Sequence, residues 1–121
     1  MSTERRKRWY LIQPGPCGSV ITEQRWKRKK GPSLAELQAA VGGLVQLVKL
    51  DGRTELWVNE EGKLLDLPLN PPATRIWELY FGATDFVCGP VLVALWPKTR
   101  LNAVVQRALE LGLKLQAAPT N

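Results

Sequence analysis

The chain has 121 residues, 45% hydrophobic and 23% charged, a size and composition that suit one domain with its own core and exclude wholesale disorder. No apolar run approaches the roughly 20 residues that cross a bilayer, and histidine is absent, which removes the commonest general base and the commonest metal ligand together. The net charge of +6 is unevenly placed: residues 1–30 carry nine Lys or Arg against Glu4 and Glu23, giving +7, whereas residues 31–121 carry eight bases against nine acids, giving −1.

The opening "MSTERRKRWYLIQPG" is basic and lacks the apolar core of a secretory signal, so a cytoplasmic location is expected. Cys17 and Cys88 lie 71 positions apart. Without an export signal, reduced thiols are the expectation, and two cysteines cannot hold zinc unaided.

Residues 1–8 read as a basic arm. "RWYLIQ" (8–13) and "SVITEQRWK" (19–27) then read as two strands joined by "PGPCG", a loop of hairpin type. Alternation sets Val20, Thr22 and Trp26 on one face of the second strand and Ile21, Glu23, Arg25 and Lys27 on the other, before the basic loop "RKKGP". Ser33-Leu34-Ala35-Glu36 has the spacing of a capping box. It opens a helix with Leu34, Leu37 and Val41 on its apolar face and Gly42-Gly43 as its stop. "LVQLVKL" (44–50), "DG" (51–52) and "RTELWVN" (53–59) predict a hairpin with a type I′ turn and an exposed tip.

Asn59-Glu60-Glu61-Gly62 predicts a type I turn, followed by the apolar "KLLDLPL". Asn70, before Pro71-Pro72, predicts an N-cap for a helix over about 72–81 with Ile76, Leu79 and Tyr80 buried and Gly82 ending it. "DFVCGPVLVALW" (85–96) reads as a mostly buried strand, bulged at Gly89-Pro90 or starting at Val91. A last helix follows with Thr99 as N-cap, Leu101, Val104, Val105, Ala108 and Leu109 as its apolar stripe, Gly112 as its C-terminal glycine, and a fraying tail over 116–121. The order predicts one α+β domain over 1–121: a mixed, mainly antiparallel sheet of about five strands with three helices, the two helices beside the central hairpin sharing a face.

Few residues carry chemistry. Glu60 and Glu61 are adjacent on a turn, so their side chains diverge, and no histidine, cysteine or serine stands by to form a relay; they read as turn residues. No catalytic residue, metal or cofactor is expected, because the scattered carboxylates lack a calcium-loop spacing and "VGGL" is a helix stop rather than a phosphate loop. The basic clusters are the leading candidates: Arg5, Arg6, Lys7 and Arg8, and then Arg25, Trp26, Lys27, Arg28, Lys29 and Lys30. Each sets aromatic residues among cations, a combination that serves phosphate backbones by charge and bases by stacking. A hairpin turn at 14–18 would bring the clusters together. The alternatives are an acidic protein surface as partner, or a solubilising face with Trp9 and Trp26 buried. Lys63 and Asn70 form a second candidate ligand patch. Of five tryptophans, Trp57 alternates away from Leu56 and Val58 and offers a ring to a second layer or a partner.

Three blocks, "SLAELQAAVGGLVQLVKL", "LWVNEEGKLLDLPLNPPAT" and "DFVCGPVLVAL", together resemble a family of small proteins of unknown function encoded by bacteriophages and plasmids. The resemblance spans about the middle half of the chain. It implies an accessory role in takeover of the host or in counter-defence. The basic "ERRKR" and "RWKRKK" segments and the terminal helix depart from the family's usual pattern. The combined expectation is a non-catalytic accessory protein that modulates a host nucleic-acid machine, RNA polymerase or a defence nuclease. Its partners would be a host protein or nucleoprotein complex, with nucleic acid itself a candidate and no membrane. The alternative is a protein that sequesters a nucleotide-like signal in an oligomeric pocket, with Lys63 and Asn70 near the phosphates.

Overall fold

Three helices and five strands follow one another in the structure, a computed structural model that describes residues 7–96 and 99–117. The strands are β1 (Arg8–Gln13), β2 (Val20–Gln24), β3 (Val45–Asp51), β4 (Thr54–Asn59) and β5 (Val91–Leu95). The helices are α1 (Leu34–Val41), α2 (Pro71–Phe81) and α3 (Arg100–Ala117). The protein is an α+β fold on one antiparallel sheet of order β2-β1-β5-β4-β3. Two hairpins flank β5, the last strand in sequence, which pairs Arg8 to Leu95 on one side and Thr54 to Leu95 on the other. All five residues of its run "VLVAL" are buried. A strand with no polar alternation has to be covered on both faces.

That requirement decides where the helices go. Trp9, Leu11, Leu92 and Ala94 point to one side and pack with Leu37 and Ala40 of α1. Tyr10, Ile12, Leu56, Val91, Val93 and Leu95 point to the other and pack with α2 and α3 through Ala73, Ile76, Val105 and Leu109. The helices beside the central hairpin, expected on one face, therefore lie on opposite faces. Their separation follows from the doubly apolar β5.

The capping box of α1 forms: Glu36 N–H donates to Ser33 Oγ at 3.1 Å and Ser33 N–H donates to Glu36 Oε1 at 2.8 Å. Gly42, at φ 81°, ends the helix in the left-handed conformation. Leu34 is exposed rather than buried, because the stripe that meets the sheet is centred on Leu37, Ala40 and Val41 and leaves Leu34 at its margin. The β3–β4 turn is not type I′, since neither Asp51 nor Gly52 has a positive φ. Instead Asp51 Oδ1 accepts from Arg53 N–H at 2.7 Å, and a bulge between Lys49 and Asp51 absorbs the twist. Gly52 and Arg53 at the tip are exposed, as expected.

After β4, Asn59 Oδ1 accepts from Glu61 N–H and Asn59 O accepts from Gly62 N–H, so the predicted turn forms. The chain continues as helical turns to Asp66, and "KLLDLPL" contributes a single bridge, Leu69 to Cys88, rather than a strand. Gly62 passes so close to the Cys88 carbonyl that a Cβ would lie 2.5 Å from its oxygen.

Asn70 caps α2 as expected and does more. It is fully buried; its Oδ1 accepts from Ala73 N–H at 3.1 Å, and its Nδ2 donates to Ile12 O at 3.1 Å and Gly89 O at 2.9 Å. One side chain thus ties α2 to β1 and to the approach to β5. Leu79, predicted to be buried, is half exposed, while Ile76 is buried.

Thr99 and Asn102 cap α3 reciprocally at 3.0 Å each way. The helix runs through Gly112, which was expected to end it. There a Cβ would stand 2.8 Å from Ile21 Cδ1, so the glycine serves close approach of helix to sheet rather than termination. Gln116, expected in a fraying tail, lies in the helix and bonds Ile21 N–H at 2.6 Å and Ile21 O at 2.7 Å; residues 118–121 lie outside the described residues. The expected apolar stripe also divides: Val105 and Leu109 are buried, whereas Val104 and Ala108 are exposed.

Replacing Asn70 by Ala removes the cap and leaves two buried carbonyls unpaired, a combined loss of about 3 kcal/mol. For a chain of this size the thermal midpoint should fall by roughly 10 °C or more. Calorimetry checks this, and a shift of only a degree or two would show that the amide is not the tie described.

Candidate functional site

Residues 25–33 carry the chain from the end of β2 to the cap of α1 and hold five cations in the first six positions. The segment is fixed at several points. The Trp26 ring meets Trp9 edge-on at 5.8 Å, and Trp9 lies 6.3 Å from Trp57. Gly31, at φ 107°, runs over Trp9 and donates its N–H to Arg28 O at 3.0 Å. Arg28 pairs with Glu36 at 3.0 Å. The Ser33 backbone N–H, with smaller help from the Ser33 hydroxyl and Arg28, holds the Glu36 carboxyl below its usual range.

The basic residues thus fall into two groups. Arg25, Lys27, Lys29 and Lys30 are exposed and have no ion-pair partner among the described residues. The others are matched. Lys7 pairs with Glu55 at 3.2 Å and stands 5.1 Å from the Trp9 ring and 4.4 Å from the Trp96 ring, and Arg8 pairs with Glu23 at 3.3 Å. The hairpin sets Trp9 opposite Gln24 and so carries Lys7 and Arg8 beside the start of the loop, but these two arrive neutralised. Arg5 and Arg6 lie outside the described residues.

Base stacking finds little support in the same geometry. Trp9 and Tyr10 are buried, and burial raises the Tyr10 phenol. Trp26 is half-buried against Trp9, with its indole N–H enclosed and unpaired. Trp57 turns toward the α1 layer, as its alternation predicts, and donates Nε1–H to Glu55 at 3.2 Å. What the loop offers a partner is positive charge on a fixed backbone.

Lys63 and Asn70 are not brought together. Asn70 is sealed in the core, whereas Lys63 lines an open cleft of about 440 Å³ with Val58, Trp77, Asp85, Phe86 and Cys88. There Lys63 donates a hydrogen bond to Asp85, 22 positions away, and covers the Phe86 ring at 4.5 Å. No local spacing announces that pairing. The hydrogen bond from Lys63, followed by one from the Phe86 backbone, holds the Asp85 carboxyl below its usual value. Cys17 and Cys88 are both free thiols. Among the described residues no three His, Cys, Asp or Glu gather where a metal could sit, and no helix is long and apolar enough to cross a membrane.

Fold and site together define a three-layer α+β protein: a five-stranded antiparallel sheet between α1 and the α2–α3 pair, with a cationic loop held over the α1 side. The profile of DUF3846, a domain of unknown function, matches residues 7–104, and the chain belongs to this family. The match takes in the whole sheet and the cationic loop, reaching beyond the middle blocks that carry the resemblance, and leaves most of α3 outside. No curated protein and no solved structure matches the chain.

The depressed Asp85 value fixes a sign. Its pairing with Lys63 adds stability above the unfolded value of an aspartate, and that contribution disappears as pH falls through the lower folded value. NMR titration of the Asp85 carboxyl should give a midpoint below the ordinary one, and Lys63→Met should raise it; an unchanged midpoint would show that the pair does not persist in solution.

Proposed function

We propose that the chain is a non-catalytic accessory protein that binds and modulates a host nucleic-acid machine, such as RNA polymerase or a defence nuclease, by setting its cationic loop against the phosphate backbone held there. The observation that carries this reading is the contrast in charge pairing. Lys7, Arg8, Arg28 and Lys63 are neutralised within the fold, whereas Arg25, Lys27, Lys29 and Lys30 are displayed without an ion-pair partner among the described residues, on a loop anchored by Trp26 and by Arg28. A purely solubilising charge needs no such anchoring. With stacking residues buried, the contact is electrostatic and independent of base sequence. The resemblance to proteins of bacteriophages and plasmids supplies the setting, the cytoplasm of an infected or plasmid-bearing host.

The alternative, sequestration of a nucleotide-like signal in an oligomeric pocket, has weaker support. Asn70 is occupied inside the core and Lys63 is matched by Asp85.

Short labelled duplexes and single strands of DNA and RNA, titrated at low salt and followed by anisotropy, test the proposal. Four free cations should give a slope of log K against log salt of roughly −3 to −4. Arg25→Glu, Lys27→Glu, Lys29→Glu and Lys30→Glu combined should abolish binding with the fold intact by circular dichroism. Binding unchanged in that variant, or none to any nucleic acid at low salt, overturns the phosphate contact.

A further inference from the structure

On the sheet face opposite the cationic loop, α2 and α3 leave a groove between them. It has a volume of about 580 Å³, with Ile21, Ile76 and Leu109 at its base and Pro71, Leu79 and Val104 among its walls. The walls are wet: Leu79 is 50% exposed and Val104 53%, and the apolar surface continues along α3 through Leu111 at 56% and Leu115 at 68%. Single exposed leucines are ordinary, but a contiguous apolar band is a surface built to be covered.

The sequence of α3 shows what would cover it. Asn102, Val105, Leu109 and Gln116 face the sheet and its edge. Val104, Ala108, Leu111 and Leu115 form a second row at spacings of four, three and four, the seam by which one helix receives another. Arg100, Arg107 and Lys114 each precede a seam-side position and recur every seven residues, so they flank the seam on one side. All three are exposed, and none is ion-paired among the described residues. Across the groove α2 adds Arg75, with Glu78 the only acid in the lining.

The geometry points to an acidic amphipathic helix of a partner protein as the occupant of this groove. Its apolar side would lie on Leu79, Val104 and Leu111, and its flanking carboxylates would meet Arg75, Arg107 and Lys114. A second copy of the chain fits poorly. Antiparallel pairing of two α3 seams sets one basic flank against the other, and parallel pairing sets it against the side of α3 already packed on the sheet.

Two labelled model peptides supply the probe: a helix with leucine at the seam positions and glutamate on the flanks, and the same helix with lysine on the flanks. Titrated into the full chain and followed by anisotropy, the glutamate peptide should bind, and the lysine peptide at least about tenfold more weakly. Leu111→Asp, at an exposed position that leaves the core intact, should weaken the glutamate peptide by about tenfold or more. Arg107→Glu with Lys114→Glu should invert the preference. Equal affinity for both peptides overturns the proposal, as does binding that survives Leu111→Asp. Loss of binding on charge reversal of Arg25, Lys27, Lys29 and Lys30 also overturns it, because the peptide would then be reading the loop. A stable dimer in sedimentation that Leu111→Asp dissociates assigns the groove to a second copy instead.

Discussion

The fold depends on β5. Its five buried residues supply the inner row of both apolar layers at once, and its two ladders join hairpins that otherwise share no strand pairing. Because it comes after both hairpins in the chain, the sheet can close only when residues some 80 positions apart in sequence, Arg8 and Leu95 among them, have met. Long-range antiparallel pairing of this kind slows folding, since loop entropy is lost before the contacts compensate for it. Asn70 works on the same join. Its amide bridges Ile12 of β1 and Gly89 just before β5 while capping α2, so helix, hairpin and central strand are registered to one another at a single buried side chain.

From that centre the two exposed features acquire their fixed positions. On the α1 side the indoles of Trp9 on β1 and Trp57 on β4 meet that of Trp26 and give the loop a floor, so Arg25, Lys27, Lys29 and Lys30 are held in place although they pair with no acid among the described residues. On the opposite side, two helices of unequal length rest on the same apolar strand faces without filling the space between them. The molecule thus presents a cluster of unpaired cations on one face, and an apolar groove rimmed with charge on the other. Surfaces of these two kinds recognise different things: the first responds to a field, the second to shape.

Local chemistry was legible in the sequence and global arrangement was not. The α1 capping box, the Asn70 and Thr99 caps, the two strand pairs and the β5 start at Val91, one of two readings of Gly89-Pro90, are each set by neighbours a few positions apart and form as read. β2, however, ends at Gln24 rather than Lys27, and the β3–β4 turn is not type I′. The larger errors share a cause. Gly112 looks like a helix stop until Ile21, from the other end of the chain, is seen to need the space a side chain would fill. Leu79, Val104 and Ala108 satisfy helical periodicity for burial, yet which apolar stripe meets the sheet depends on how α2 and α3 sit on it. The basic clusters were visible as composition, but only the folded register showed that Lys7 and Arg8 are neutralised and that Arg25, Lys27, Lys29 and Lys30 are not.

Gln116 gives α3 a second role. β2 is an outer strand, and the amide and carbonyl of Ile21 are both held by that one glutamine side chain, which reaches them from the last turns of the helix. An open ladder edge is a template for another chain's strand, and natural sheets blunt it with charge, bulges or a covering element. Here the cover comes from beyond residue 104, where the family match ends. A chain shortened to that span would lose, along with the α3 seam, the one side chain that holds the amide and carbonyl of Ile21, and would carry a bare hydrogen-bonding margin on β2.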